Sequence, residues 1–206
     1  MSEMKHTDPF VAGDGNGRRG GSQPLLHQQG REIQRFGEMR LFPIALSHDI
    51  RAESCQLLNR ILADTIILYN LYKKHHWLMR GPTFYQLHLL LDKHASEQLE
   101  LVDLMGERVQ TLGGVAVADP RHVAEITTVP RPPNGVEEVP AMLSRLLEAH
   151  QIIIEKTREA VARTADLHDD GTNDILVSEV LRTNELQVWF VAEHLVDIPL
   201  VHASRS

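Results

Sequence analysis

The sequence predicts an all-α protein, a bundle of four long helices joined by one long crossover. Three observations carry this. Apolar residues recur at alternating steps of three and four, and nowhere at a period of two long enough for a sheet. Breaks rich in glycine or proline separate the periodic stretches: Arg80-Gly81-Pro82, Gly113-Gly114 and Pro130-Arg131-Pro132-Pro133. Aromatic content is only 5%, low for a β-sandwich and usual for a bundle packed with leucine, isoleucine and valine.

Residues 1–42 come first and are expected to be a flexible tail. Seven of the thirteen glycines fall there, around GDGNGRRGGSQP. Such a segment cannot bury enough apolar surface to offset its ordering entropy. The first helix is expected over 49–79, with Leu58, Leu62, Thr65, Tyr69, Tyr72 and His76 along one seam. The second starts at Thr83, where Thr83 and Gln86 form a capping box, and ends at Gly113-Gly114. The proline-rich connection that follows holds a short helix near 121–125. The third long helix spans 137–167, with Leu143, Leu146, Leu147, His150, Ile153, Ile154 and Val161 as its apolar stripe. HDDGTND is a turn, and the fourth helix covers 173–196. The bundle domain is therefore 43–200, with a short C-terminal tail at 201–206. A long connection between helices two and three is the ferritin-like arrangement.

Composition bounds the function. The 206 residues favour one domain, and an apolar fraction of 42% supplies a sizeable core. A formal charge of −7, from 21 basic and 28 acidic residues, argues against a body that binds nucleic acid electrostatically. The tail's arginines could touch DNA, but its acids nearly balance them. Cys55 is the single cysteine, so intramolecular disulfides and thiolate metal clusters within one chain are excluded. MSEMKHTDPF lacks the pattern of a secretory signal, and no apolar run approaches the roughly 18 residues a membrane crossing needs. A cytoplasmic protein without membrane contact is expected, nucleoid-associated if DNA is bound.

The second helix carries the chemistry. With His88 as zero, Asp92 lies near 40°, Asp103 near 60° and Glu107 near about 100° around the axis. All four share one stripe, taken as the buried side, and His94 falls opposite. His76 joins them from the first helix. Carboxylates with imidazoles and no thiolate suit a borderline divalent metal such as ferrous iron or zinc. The pair His88/Asp92 lies roughly 22 Å along the axis from Asp103/Glu107. One helix cannot bring both pairs to one metal. Two copies can, packed antiparallel about a twofold axis near Glu97 and Gln98. An obligate homodimer with two shared sites is the minimum functional unit.

At these residues the sequence resembles a known family. LADTIILYNLYKKHHWLMRGPTFYQLHLLLDKHASEQLELVDLMGERVQTLGG looks like the hallmark of Dps, the mini-ferritin family of DNA-binding proteins from starved cells. The matching elements are His76-Trp77, Gly81, Phe84, Leu87-His88, Asp92, Asp103, Glu107-Arg108 and Leu112-Gly113-Gly114. The likeness covers about residues 45–197, and LQVWFVAEHLVD looks most like the cyanobacterial-type branch. It implies a hollow homo-dodecamer that oxidises ferrous iron, preferably with hydrogen peroxide, and stores ferric mineral. It implies a ferroxidase site with His76, His88 and Asp92 from one chain and Asp103 and Glu107 from its partner. It also implies that Asp169, Asp170 and Asp174 line an acidic iron-entry pore. Leu89 and Lys93 stand where the family often carries acids, so mineral nucleation is expected either to be weaker or to be served by other acids such as Glu97 and Glu100. His75 neighbours His76 and is a candidate for a second metal. Trp77, beside the site, is expected to pack rather than to quench radicals.

Three rivals frame this reading, the plainest being a helical interaction module without metal, which should show no bound iron or zinc; the other two are more specific. One is a DNA-compacting architectural protein with a vestigial metal site, for which binding would depend on residues 1–42. The other is a conventional di-iron bundle, which needs Glu-x-x-His on core helices. Here that spacing occurs only from Glu3 to His6, in the tail.

Overall fold

The computed structural model describes residues 26–197. The expected tail at 201–206 and most of the N-terminal tail lie outside the described residues. The chain divides into two units, residues 1–33 and residues 34–206. In the first, the described residues 26–33 form neither helix nor strand.

The second unit is the four-helix bundle. α1 is His48–Leu78, α2 is Phe84–Thr111, and a short α3 is Pro120–Ile126 in the crossover. α4 is Val139–Asp166. The last long helix has three parts: α5 at Asp170–Asp174, a π-helical stretch at Ile175–Leu181, and α6 at Arg182–Ala192. α1 packs chiefly on α2 and then on α4, and α4 packs on the last helix. Leu58, Leu62, Leu87, Leu91, Met105 and Leu146 fill the middle with no more than 1% exposure. No helix among the described residues is long and apolar enough to cross a membrane.

Three local expectations are corrected. Thr83 is the N-cap of α2, but its side chain accepts no capping bond, and Gln86 is exposed. Gly81 turns the chain through φ 85°, and Thr83 has φ −96° and ψ 12°, not the extended geometry that aims a capping hydroxyl at the helix. The fourth helix is not regular throughout: at ILVSEVL, i→i+5 turns widen it without a sequence break. The bundle unit also begins before residue 43. Gln34 Nε2 donates to the Gly113 carbonyl at 3.0 Å, and Arg40 N donates to the same oxygen at 2.7 Å. The buried Arg51 guanidinium donates to the carbonyls of Arg40 and Leu112 at 2.6 and 2.8 Å. It thereby satisfies an end carbonyl of α2, where a cation also suits the helix dipole. Gly113 sits at φ 91°, and a Cβ there would lie 2.3 Å from the Arg40 carbonyl oxygen, so only glycine fits.

A neutral polar network runs through the centre of the bundle. Tyr72, His94, Gln98, His150, Asn184 and Gln187 are all at most 1% exposed. Gln98 Nε2 donates to Asn184 and Gln187 at 3.3 and 3.0 Å. Burial pushes the His150 imidazole down to about 3 and the His94 imidazole down to about 4. Both are therefore neutral in the native chain at neutral pH, whereas in the unfolded chain each gains a proton near the ordinary pKa of about 6.5. Above that pH neither state binds a proton and there is no effect. Below it the unfolded state binds more protons, so stability falls. Unfolding midpoints in denaturant are expected to be flat from pH 8 to 7. They should then drop between about pH 6 and 4, by somewhat over 1 kcal/mol per pH unit for each imidazole. Burial also pushes the His75 imidazole down to about 4, so His150→Gln, removing one of three such imidazoles, should flatten that slope by about a third.

Candidate metal centre

The turn between α1 and α2 brings His76 against His88. Their rings stack with centroids 3.8 Å apart and planes 18° from parallel. Each Nδ1 bonds the backbone carbonyl of the other residue: His76 Nδ1 to His88 O at 2.7 Å, and His88 Nδ1 to His76 O at 3.0 Å. A carbonyl accepts only, so each Nδ1 carries a proton. Each Nε2 then keeps its lone pair in the neutral ring, the tautomer a metal ligand needs.

Asp92 stands one turn beyond His88, with Oδ1 3.9 Å from His76 Nε2. Lys73 Nζ donates to that same oxygen at 2.5 Å. The hydrogen bond from Lys73 is the largest cause holding the Asp92 carboxyl below the usual carboxylate range, with the positive charge of Lys73 adding to it against the effect of burial. Lys73 was not foreseen, although it lies three residues before His76 and so shares its helix face. It is the counter-ion of Asp92 in this structure.

Asp103 and Glu107 lie well along α2 and are exposed. The stripe holding the acids is therefore not the buried side of the subunit. That side is Leu87, Leu91, Ala95, Gln98, Leu101, Met105 and Val109, and it also carries His94. Asp103 and Glu107 instead rim a groove of about 760 Å³ between α1 and α2, floored by Leu62, Ile66, Leu99 and Val102. Among the described residues, no three His, Cys, Asp or Glu side chains of one chain converge closely enough for a metal ion. The candidate residues thus form two separated groups, His76, His88 and Asp92 in one and Asp103 and Glu107 in the other.

The remaining nominations divide. Gln98 faces the core and Glu97 accepts from Gln187 Nε2 at 2.8 Å; Ser96, Leu99 and Glu100 are the exposed residues at that level. Glu97 also pairs with Lys93 at 3.1 Å. His75 is 1% exposed, and among the described residues neither of its ring nitrogens has a hydrogen-bond partner and no group of three ligating side chains forms around it. A second metal at His75 is not supported by this geometry. Asp169 is also corrected. It is 1% exposed, caps α5 by accepting from Thr172 N at 3.2 Å, and pairs with Arg108 Nη2 at 2.6 Å. Asp170 and Asp174 are exposed. Asp174 shares an acidic groove with Glu100, Asp103, Glu107 and Glu179, a convergence the sequence had not disclosed. Trp77 does not pack within its subunit, being 70% exposed with Lys73 Nζ 5.9 Å from its ring.

The helical order and the match of residues 55–201 to the family model described as a ferritin-like domain place the chain among ferritin-like proteins. The chain is 74% identical to DpsC from Streptomyces coelicolor, covering 84% of this chain and 100% of that one, with a TM-score of 0.83. An archaeal Dps homologue from Halobacterium salinarum is 30% identical over 85% of this chain and 97% of its own, with a TM-score of 0.80. The nutrient stress-induced DNA-binding protein of Synechococcus is 33% identical over 163 residues, 79% of this chain and 92% of that relative. The chain belongs to the Dps mini-ferritin family.

Proposed function

We propose that this protein is a ferroxidase and iron-storage mini-ferritin, with each iron site built from two chains of a homo-dodecamer. The observation that carries the reading is the pair of tautomers at His76 and His88, which leaves two Nε2 lone pairs on one half-site, that of His76 lying 3.9 Å from the Asp92 carboxylate. The other half-site, Asp103 and Glu107, borders a groove whose apolar floor a second chain would cover. Ferrous iron is the substrate, and zinc suits the same donor set. His76 and His88 would give nitrogen ligands, and Asp92 and Glu107 would give the anionic oxygens, either of which could be shared between two ions. Asp103 binds directly or orients a ligand. Peroxide takes two electrons from two ferrous ions, and the ferric product mineralises inside the shell. Asp170 and Asp174 are the exposed acids left to attract cations, and the acidic groove leads from Asp174 to Asp103 and Glu107. DNA is protected chemically, by removal of peroxide and ferrous iron together. The net charge of −7 supports this over compaction of DNA by the body.

The test is a His88→Ala/Asp92→Asn chain, followed by stopped-flow absorbance of ferrous iron with peroxide. Fast oxidation is expected to fall at least roughly 100-fold, because even neighbours that only orient ligands cost about 10–100-fold. The size of the assembly, read by light scattering, should be unchanged. Oxidation at the parent rate would remove the assignment.

A further inference from the structure

Tyr72 lies on α1 one turn before His76 and has no solvent exposure. Its hydroxyl donates to His150 Nε2 at 2.6 Å. The neighbours fix that direction. Asn184 Nδ2 donates to the Val180 carbonyl at 2.7 Å, which leaves its Oδ1 to accept the His150 Nδ1 proton at 2.8 Å. His150 is then the Nδ1–H tautomer, with the Nε2 lone pair aimed at the phenol. His94 Nδ1 meets the Tyr72 oxygen at 3.2 Å and donates to it. The phenol therefore has a base on its proton and a donor on its oxygen, in a core without water access. Burial is the main cause lifting the Tyr72 hydroxyl well above its ordinary pKa, with the charge of Glu97 adding. Such a phenol does not ionise by itself; it gives up its proton together with an electron.

We propose that Tyr72 and His150 form a proton-coupled redox pair that absorbs single oxidising equivalents straying from the iron site, an inference that rests on the ferroxidase reading. A lone ferrous ion meeting peroxide yields ferric ion, hydroxide and hydroxyl radical. An oxidant of that class takes one electron from Tyr72 and becomes hydroxide. The phenolic O–H bond breaks as an N–H bond forms at His150 Nε2, leaving a neutral tyrosyl radical beside an imidazolium. An oxidised phenol is a strong acid, so even an imidazole of weakened basicity takes the proton. A second ferrous ion then returns the electron and becomes ferric, and the proton moves back to Tyr72. The sum is two ferrous ions and one peroxide giving two ferric ions and two hydroxides, the same as the two-iron reaction. Tyr72 and His76 are separated by roughly 6 Å of helix rise, an easy distance for electron transfer. Trp77 and Tyr85 are more exposed, and among the described residues neither has a hydrogen-bonded base, so a radical there would react onward.

The test uses the full chain in its assembled form, loaded with about one ferrous ion per site, mixed with peroxide and freeze-quenched for electron paramagnetic resonance. A tyrosyl signal is expected in the parent, with the lowered g-value of a hydrogen-bonded radical at high field. Tyr72→Phe should abolish it, raise spin-trapped hydroxyl radical several-fold, and leave the rate of ferrous oxidation unchanged. His150→Gln keeps an acceptor but no base, and should cut the radical yield about tenfold while preserving assembly. A tyrosyl signal of equal size in Tyr72→Phe overturns the proposal, as does normal iron oxidation without any tyrosyl signal in the parent. If Tyr72→Phe fails to assemble, His150→Gln and the parent g-value decide: an undiminished radical, or one without the hydrogen-bond signature, overturns it. A parent that oxidises no iron at all overturns the ferroxidase reading, and this proposal falls with it.

Discussion

Mixing a His88→Ala/Asp92→Asn chain with an Asp103→Ala/Glu107→Gln chain is expected to restore iron oxidation that neither shows alone. Each variant alone has every site broken in the same half. In a mixed dimer one site combines both damaged halves, and the other combines both intact halves. Random pairing of equal amounts gives half mixed dimers, so about one quarter of the parent rate should return. The measurement is stopped-flow oxidation after co-refolding or co-expression, with each variant alone as the baseline. No recovery in a mixture shown by mass spectrometry to contain mixed dimers would mean that the halves do not meet across an interface. The expectation follows from the separation of the half-sites along α2 and from the lack of a complete ligand cluster among the described residues of one chain.

The second large effect concerns stability. Asp64 on α1 has no solvent exposure. Its carboxylate accepts from Thr127 Oγ1 and Thr128 N, both at 2.7 Å, and from Lys156 Nζ on α4. One side chain thus ties α1 to the crossover and to α4. Asp64→Ala leaves a lysine and two crossover donors without their acceptor. Removing one member of a buried pair costs about 3–5 kcal/mol, which for a chain of this size lowers the unfolding temperature by roughly 10 °C or more. Glu53→Ala, which breaks the exposed pair with Arg163, serves as the control and should change little. Differential scanning calorimetry on both variants checks the contrast. A shift of only a degree or two for Asp64→Ala would show that the crossover is held by its apolar contacts instead.

The sequence disclosed the helices more fully than their faces. α1 and α4 each have one apolar stripe, so periodicity identified Leu58, Leu62, Leu143 and Ile153 as core. α2 carries two usable faces. One packs Leu91 and Met105 inside the subunit; the other sets Leu99 and Val102 beside Asp103 and Glu107 in an open groove. Spacing shows that residues share a face but not which face the subunit keeps for itself, and the charged stripe was consequently placed inside. Gln98 points inward because Asn184 and Gln187 meet it from the last helix, and the π-helical turns before them shift the phase that ideal periodicity would give. Composition likewise missed the attachment of Gln34 and Arg40, which is made by backbone carbonyls and a distant Arg51. The acids of HDDGTND read alike in the sequence, and the approach of Arg108 together with the cap on Thr172 distinguishes the buried Asp169 from Asp170 and Asp174. The ligand candidates themselves were legible because metal chemistry restricts residue types as well as positions.

The reciprocal bonds between His76 and His88 make the hairpin its own gauge. Each ring is fastened to the opposite helix's main chain, so a slip of α1 along α2 by a single step would break both fastenings at once. The two Nδ1 protons should consequently appear as slowly exchanging, low-field resonances as soon as the hairpin closes. They would mark a subunit whose half-site is already aligned before any partner arrives.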